Sequence, residues 1–165
     1  MGPEIYSKIL EEFEQLALSA STPESLMQKI AIRLREDLVR VNWVAFYVVD
    51  SKNPRMLRLG PYSGMDIPNQ LIPFDSGICG AAASAGKTIV VQRVEDDPRY
   101  LPDSEFTRSE IVIPISANSK VVGEIDINSF FESAFDDALR EFLERCASLV
   151  GRYLERRPCR VAAPE

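Results

Sequence analysis

Apolar residues recur every three or four positions near the start of the chain, a spacing that places them on one face of a helix. The first stripe predicts a helix from Pro3 to Ala20. A second stripe follows Thr22, a capping residue that precedes a proline, and predicts another amphipathic helix ending near Arg40. The stripes consist of Tyr6, Ile9, Phe13 and Leu16 in the first helix and Leu26, Ile30, Leu34 and Leu38 in the second.

β-Branched and aromatic residues dominate after the second helix, which favours strands. Residues 42–49 and 56–59 predict two antiparallel strands joined by a turn of polar residues and proline. The stretch 60–74 contains two glycines and three prolines, so we expect mostly a loop there, with a short strand near its end. Small residues then predict a helix over 77–85 that ends at a glycine, and a short strand follows over 88–91.

A polar, proline-interrupted segment runs from Glu95 to Asp103, and its length and composition predict a lid over part of the fold. The last predicted element is a helix over residues 134–157 with an apolar seam in the three-and-four spacing of a coiled coil. This seam is compatible with packing onto the chain's own sheet or with pairing to a second copy. We expect residues 158–165 to be a flexible tail.

Two strands in the second half of the chain, residues 110–116 and 121–128, alternate between an apolar face and a polar face. Carboxylates that share one face of neighbouring strands are suited to bind the ammonium group of an amino-acid-like ligand. An exposed antiparallel sheet gives the same pattern, and on spacing alone we favour a polar face that contacts water. The apolar face carries Ile111, Ile113, Ile115, Val121, Gly123, Ile125 and Ile127, and the polar face carries Glu110, Val122, Glu124, Asp126 and Asn128.

The order of these elements predicts an α+β protein with a central antiparallel sheet of about five or six strands. The 165 residues fit one domain, which we place at residues 1–157. The first residues lack the pattern of a secretion signal, and no apolar run reaches the length of a membrane-spanning helix. We therefore expect a cytoplasmic protein that does not contact membranes.

Charge and residue counts disfavour several classes of function. A net charge of −6 disfavours nucleic acid as a partner. The chain has no histidine, the commonest metal ligand and proton shuttle, and we expect neither a metal nor a cofactor. Its three cysteines, Cys79, Cys146 and Cys159, are widely spaced and predicted to be reduced. Cys79 begins a small helix whose dipole favours a thiolate, although a buried apolar role is commoner for such a residue.

Several short motifs occur in the order and nearly the spacing of a known family. They are Asn-Trp-Val-Ala-Phe-Tyr at 42–47, Leu-Gly-Pro-Tyr-Ser-Gly at 59–64, Ile-Pro-Phe at 72–74, Gly-Ile-Cys-Gly at 77–80, Arg-Ser-Glu-Ile-Val-Ile-Pro at 108–114 and Gly-Glu-Ile-Asp-Ile-Asn-Ser at 123–129. From about residue 42 to about residue 137 the chain resembles the free methionine-(R)-sulfoxide reductase family of GAF domains. This resemblance implies terminal helices packed on one face of the sheet, a pocket under a lid on the other face, and frequently a dimer.

Most ligand-binding positions of that family are matched in this chain. The resemblance implies that Trp43, Tyr47, Glu110 and Asp126 contact the ligand. The last acid of the family's site is replaced by Asn128, which keeps a hydrogen-bonding oxygen and loses a charge.

The reducing thiols of the family are matched only in part. Counting back from Ser109 places Asp103 at the family's lid cysteine, and the partner cysteine aligns with Asn69. Sulfoxide reduction needs a thiolate that attacks sulfur and a second thiol that resolves the product, which a carboxylate cannot replace. Asp103 is expected to add a polar ligand contact from the lid instead. Only Cys79 remains at a family thiol position.

The sequence therefore predicts a small-molecule-binding or sensory GAF domain that has lost the redox chemistry and forms a homodimer through its terminal helices. The alternatives are an active reductase that uses Cys79 with an external thiol, a cyclic-nucleotide-binding GAF domain and a purely structural dimerisation module. The predicted ligand contacts are Trp43, Tyr47, Asp103, Glu110, Asp126 and Asn128.

Overall fold

In the computed structural model, which describes residues 2–65, 68–102 and 104–157, six strands form a single sheet. The strands are β1 (Trp43–Val49), β2 (Met56–Ser63), β3 (Leu71–Pro73), β4 (Ile89–Val91), β5 (Ser109–Ala117) and β6 (Lys120–Ser129). The helices are α1 (Pro3–Ser19), α2 (Pro23–Asp37), α3 (Gly77–Ala85) and α4 (Asp137–Glu155). The predicted lid contact Asp103 and the predicted tail, 158–165, lie outside the described residues.

The sheet has the strand order β3-β2-β1-β6-β5-β4, and every neighbouring pair is antiparallel. This arrangement confirms the predicted α+β class with a central antiparallel sheet. Strands β1, β6 and β5, which carry most of the predicted ligand contacts, lie side by side.

Helices α2 and α4 pack on one face of the sheet, α1 packs on α4 and α2, and the three helices bury the larger of two apolar cores. Ile111, Ile113 and Ile115 point into this core, as their alternation predicts. The apolar seam of α4 lies in the same core, so it packs within the chain. Tyr6 of α1 stacks on Phe142 of α4 with ring centroids 4.6 Å apart, which joins the two terminal helices.

Two helix boundaries differ from the prediction by three residues. Helix α2 ends at Asp37, before the expected Arg40. Helix α4 begins at Asp137, three residues after the expected start, because the Asp136 carboxylate accepts a hydrogen bond from the Leu139 N–H at 2.8 Å and caps the helix there. Among the described helices, none combines the length and the apolar character that crossing a bilayer requires.

Strand β2 extends to Ser63, so the prediction of a loop in that region is wrong for its first four residues. Ala45 of β1 pairs with Tyr62 of β2, and Tyr47 pairs with Leu59. The two β1 residues are two positions apart, whereas their β2 partners are three positions apart. The extra residue makes a β-bulge, and a bulge tolerates the glycine and proline that otherwise interrupt strands.

A second irregularity reverses two side chains at the start of β6. Ile115 pairs with Gly123, and the next residue of β5, Ser116, pairs with Val121, so Val122 is the extra residue of a bulge. Val122 packs against the helix-side core and Val121 against the opposite core. The predicted faces of these two valines are therefore wrong, because strict alternation does not continue through a bulge.

Candidate functional site

The face of the sheet opposite the three helices presents polar side chains in neighbouring rows. Residues two apart on a strand point to the same side, so cross-strand partners of such residues share that face. In the order β5, β6, β1, the rows are Glu110–Asn128–Trp43, Val112–Asp126–Ala45 and Pro114–Glu124–Tyr47.

The four polar residues of these rows are buried. Glu110 is 6% exposed, Glu124 0%, Asp126 3% and Asn128 2%. The expectation that this face contacts water is therefore wrong. The second apolar core, to which α3 contributes, covers the face, and α3 approaches so closely that a Cβ on Gly80 would lie 2.4 Å from a backbone oxygen of the neighbouring β3 segment.

A cavity of about 20 Å³ lies between this face, α3 and the segment that precedes residue 103. Its polar lining includes Tyr47, Cys79, Glu110 and Asp126, and its apolar lining includes Leu101. The volume accommodates about one water molecule. A ligand the size of an amino acid therefore requires the covering segment to move.

Cys79, in the first turn of α3, lies against the acids of the sheet. Its thiol donates a hydrogen bond to Asp126 Oδ2 at 3.3 Å. Burial raises the pKa of the Cys79 thiol well above its usual range, and the negative charges of Asp126, Glu124 and Glu110 raise it further. Cys79 takes the buried role that is commoner for such a residue, because desolvation and three carboxylates outweigh the partial charge of a helix end that would favour a thiolate.

Glu124 is fully buried next to the same thiol. Burial raises the pKa of its carboxyl well above the usual range, its contact with Cys79 lowers that pKa in part, and the charge of Asp126 raises it. The thiol has a single proton, which it donates to Asp126, and neither Glu124 oxygen accepts a hydrogen bond from a described residue. Strand alternation predicts Glu124 on the polar face, but the family resemblance does not include it among the ligand contacts.

Of the two aromatic residues predicted to contact the ligand, Tyr47 lines the cavity and Trp43 does not. The Tyr47 ring lines the cavity, and its hydroxyl donates to the Asn69 carbonyl oxygen at 2.9 Å. Trp43 and Asn128 are cross-strand neighbours on β1 and β6. Neither side chain is among the described residues that line the cavity. Gly64, with φ 152°, lets the backbone pass over the indole, because a Cβ there would lie 2.2 Å from Trp43 Cδ1.

Leu101, in the predicted lid, was not singled out by the sequence, which offers no local signal for its contacts. Its side chain packs on Gly77, where φ is 70° and a Cβ would lie 2.7 Å from Leu101 Cδ1. Leu101 and Gly77 line both the inner cavity and an outer groove of about 440 Å³. Arg99 also lines this groove, and its hydrogen bond to Asp97 raises the pKa of its guanidinium, an effect that burial partly opposes and that the charges of Asp97 and Glu110 increase. The predicted lid thus separates the buried acids from the outside.

The other cysteines do not complete a thiol pair within the described residues. Cys146 is fully buried in the helix-side core, on the opposite side of the sheet from Cys79. Burial raises the pKa of the Cys146 thiol above its usual range. Cys159 lies outside the described part of the chain.

The fold is that of a GAF domain. A model of the GAF domain matches residues 20–155, and the chain belongs to this family. It is similar to the free methionine-R-sulfoxide reductase of Saccharomyces cerevisiae, with 39% identity over 115 residues that cover 69% of this chain and 63% of the yeast protein. The matched region thus spans less than two thirds of that relative.

Two further relatives match over nearly their whole length. The free methionine-R-sulfoxide reductase of Escherichia coli is 28% identical over 155 residues, covering 92% of this chain and 89% of that protein. The structure of the Neisseria meningitidis free methionine-R-sulfoxide reductase in complex with its substrate superposes with a TM-score of 0.87 at 29% identity, covering 93% of this chain and 90% of that one. The predicted homology to free methionine-R-sulfoxide reductases is therefore confirmed.

Proposed function

We propose that this chain is a small-molecule-binding GAF domain that binds the ammonium group of an amino-acid-like ligand at its buried acids and does not reduce the ligand by thiol chemistry. The single observation that carries the proposal is the setting of Cys79. It is the one thiol that the described residues place at the cavity, and its hydrogen bond to Asp126 and its three acidic neighbours favour the protonated form.

The acids support a ligand with a positive charge. Glu110 and Asp126 line the cavity, and Glu124 lies beside Asp126 with no hydrogen-bond donor among the described residues. Buried carboxylates gain most from a partner that brings both charge and N–H donors, and an ammonium group brings both. The same acids disfavour a cyclic nucleotide, because its phosphate would add a negative charge to this cavity.

The thiol arrangement supports binding without turnover. Reduction of a sulfoxide leaves a sulfenic acid on the attacking cysteine, and a second thiol must then release it. Within the described residues Cys146 is separated from Cys79 by the sheet, and the family resemblance predicts Asp103 in place of the family's lid thiol.

The second candidate is an active reductase in which Cys79 attacks the sulfoxide and an external thiol resolves the product. The observation in its favour is that Cys79 lines the cavity itself. We rank it second, because a nucleophilic cysteine needs an environment that stabilises the thiolate, and burial among carboxylates does the opposite.

The binding proposal is tested by isothermal titration calorimetry with free methionine, free methionine-(R)-sulfoxide and the matching carboxylic acids that lack the amine. We expect at least one amine-bearing compound to bind and its deaminated analogue to bind more weakly. Glu110→Gln should weaken binding about tenfold or more, since a hydrogen bond to a charged group contributes about 1.5–3 kcal/mol.

The matched control is Glu105→Gln, which removes an exposed carboxylate outside the cavity lining. It should leave the affinity unchanged. Equal binding of an amine and its deaminated analogue, or an unchanged affinity in Glu110→Gln, would contradict the proposal.

Three further features stay predictions: a single domain over residues 1–157, a cytoplasmic location and a homodimer formed through the terminal helices. The α4 seam packs within the chain, so a dimer would use other surfaces of these helices. Exposed apolar side chains such as Leu18 of α1, 73% exposed, are candidates for that contact. Light scattering of Leu18→Glu and the unmodified chain tests the dimer.

A further inference from the structure

Three donor groups from distant parts of the chain meet at the cavity. The Cys79 sulfur and one carboxylate oxygen each from Glu110 and Asp126 all lie within 4.8 Å of one another. All three residues are buried, and they come from α3, β5 and β6. We propose that Cys79, Glu110 and Asp126 bind a thiophilic divalent cation of the Zn²⁺ type, which would occupy the same acids as the amine proposed above but adds the thiol as a ligand.

The donor spacing fits such an ion after small side-chain movements. Zinc binds thiolate sulfur at about 2.3 Å and carboxylate oxygen at about 2.0–2.2 Å, so tetrahedral ligand atoms lie about 3.4–3.6 Å apart. The Cys79 sulfur is already 3.3 Å from Asp126 Oδ2. No other pair of the three donor atoms is farther apart than 4.8 Å.

The size of the cavity favours an ion over an organic molecule in the closed state. Cys79, Glu110 and Asp126 all line the cavity of about 20 Å³. That space accommodates one water-sized group and excludes an amino acid. An ion can therefore bind while Leu101 still packs on Gly77, whereas the larger ligand requires the lid segment to open.

Glu124 is an independent indication that a cation binds here. Its side chain is 0% exposed, lies next to Cys79 and Asp126, and has two oxygens that accept no hydrogen bond from any described residue. A buried carboxyl without a hydrogen-bond donor is costly to ionise, and a divalent cation beside it would stabilise the ionised form. Glu124 is thus available as a further ligand or as an acid that orients the others.

The chemistry of the donor set indicates which cations bind. A thiolate ligand selects Zn²⁺ or Co²⁺ over Mg²⁺, which prefers oxygen ligands alone. On binding, the metal–sulfur bond replaces the S–H bond of Cys79, and the thiol proton leaves to solvent. The site has three protein ligands, so a fourth position is open to Glu124, water or an anion.

The test is titration of the metal-free protein with Zn²⁺, Co²⁺ and Mg²⁺, each chain carrying Cys159→Ser to remove the thiol outside the described residues. We expect one Zn²⁺ per chain, and with Co²⁺ the near-ultraviolet charge-transfer absorption of a thiolate–cobalt bond. Mg²⁺ should not compete. Cys79→Ser should abolish the absorption, and Asp126→Asn should weaken Zn²⁺ binding at least tenfold.

The matched control is Asp50→Asn, which alters an acid on the β1–β2 turn and should leave metal binding unchanged. Circular dichroism checks that each variant is folded, and the Co²⁺ absorption of Asp126→Asn gives a readout if Cys79→Ser does not fold. Absence of zinc binding, zinc bound equally well by Cys79→Ser, or cobalt bound without a thiolate band would overturn the proposal. None of these results depends on whether an amino acid binds.

Discussion

Cys79 and Asp126 are 47 residues apart in the sequence, yet the thiol of the first donates a hydrogen bond to the carboxylate of the second at 3.3 Å. The contact forms because the small residues of α3 allow the helix to approach the sheet closely. It places the thiol among carboxylates, where its reactivity is suppressed. That placement is the main reason to regard the protein as a binding domain.

We predict that Cys79 reacts slowly with iodoacetamide in the native protein. Burial and the neighbouring acids raise the pKa of its thiol, and the thiolate is the form that reacts. Its alkylation, followed by mass spectrometry of the peptide, should be at least about tenfold slower in native protein than in urea-unfolded protein. Equal rates in the two states would show a reactive cysteine and favour the reductase alternative.

We predict that Glu124→Gln changes how stability depends on pH. The folded-state pKa of Glu124 is raised, so between the ordinary value of about 4.3 and the raised value the folded state binds more protons than the unfolded state. Stability should therefore fall as pH rises through this window. Urea unfolding in chelator at about pH 5.5 and about pH 7.5 measures this slope.

Glu124→Gln should flatten that slope and stabilise the protein at the higher pH, because the buried charge is removed. Glu105→Gln, which alters an exposed carboxyl, is the control and should keep the slope of the unmodified chain. If Glu124→Gln retains the full slope, the carboxyl is not held in the buried setting described.

We predict that Gly77→Ala costs more stability than Gly86→Ala. Both glycines have left-handed backbone, with φ of 70° and 62°, so the conformational strain is similar and of order 1 kcal/mol. A Cβ on Gly77 would also lie 2.7 Å from Leu101 Cδ1, whereas a Cβ on Gly86 would lie 3.7 Å from its nearest neighbour. Urea unfolding measures the difference.

The additional cost of Gly77→Ala should be relieved in the double variant Gly77→Ala, Leu101→Ala, because the clash is with the leucine side chain. Equal costs for the two single variants would mean that Leu101 does not pack on α3 as described. If the effects of Gly77→Ala and Leu101→Ala on the free energy of unfolding are simply additive, Leu101 does not contact Gly77 as described.

We predict that Asp136→Ala destabilises the protein by about 1 kcal/mol, the usual value of a helix cap. Its carboxylate accepts a hydrogen bond from the Leu139 N–H at the start of α4. Asp137→Ala, one residue into the helix, is the control and should cost less. Thermal unfolding of the two variants distinguishes them, and equal losses would place the cap elsewhere.

Periodicity was sufficient to predict most of the fold. The terminal helices and the strands from Trp43 and Ser109 onward follow from spacing, because each buries one regular face. The errors fall at bulges: Val121 and Val122 exchange faces because an extra residue breaks the alternation. A bulge is set by pairing between strands, which spacing along one strand does not contain.

Spacing alone was sufficient to predict the residue types of the candidate site but not its burial, which only the family resemblance implied. Alternation placed Glu110, Glu124 and Asp126 on one face, and the family resemblance selected two of them as ligand contacts. Whether that face is covered depends on α3 and on Leu101, whose contacts lie far along the chain. The same long-range packing raises the pKa of the Cys79 thiol, in agreement with the buried role that the sequence favoured over a thiolate.

The most direct test of the central claim is a turnover assay on free methionine-(R)-sulfoxide with excess dithiothreitol or thioredoxin as reductant, with methionine measured by chromatography. The account predicts no methionine above the protein-free blank, from a sample whose ligand binding is confirmed by calorimetry. Sustained methionine production by the unmodified chain that is lost in Cys79→Ser would contradict it.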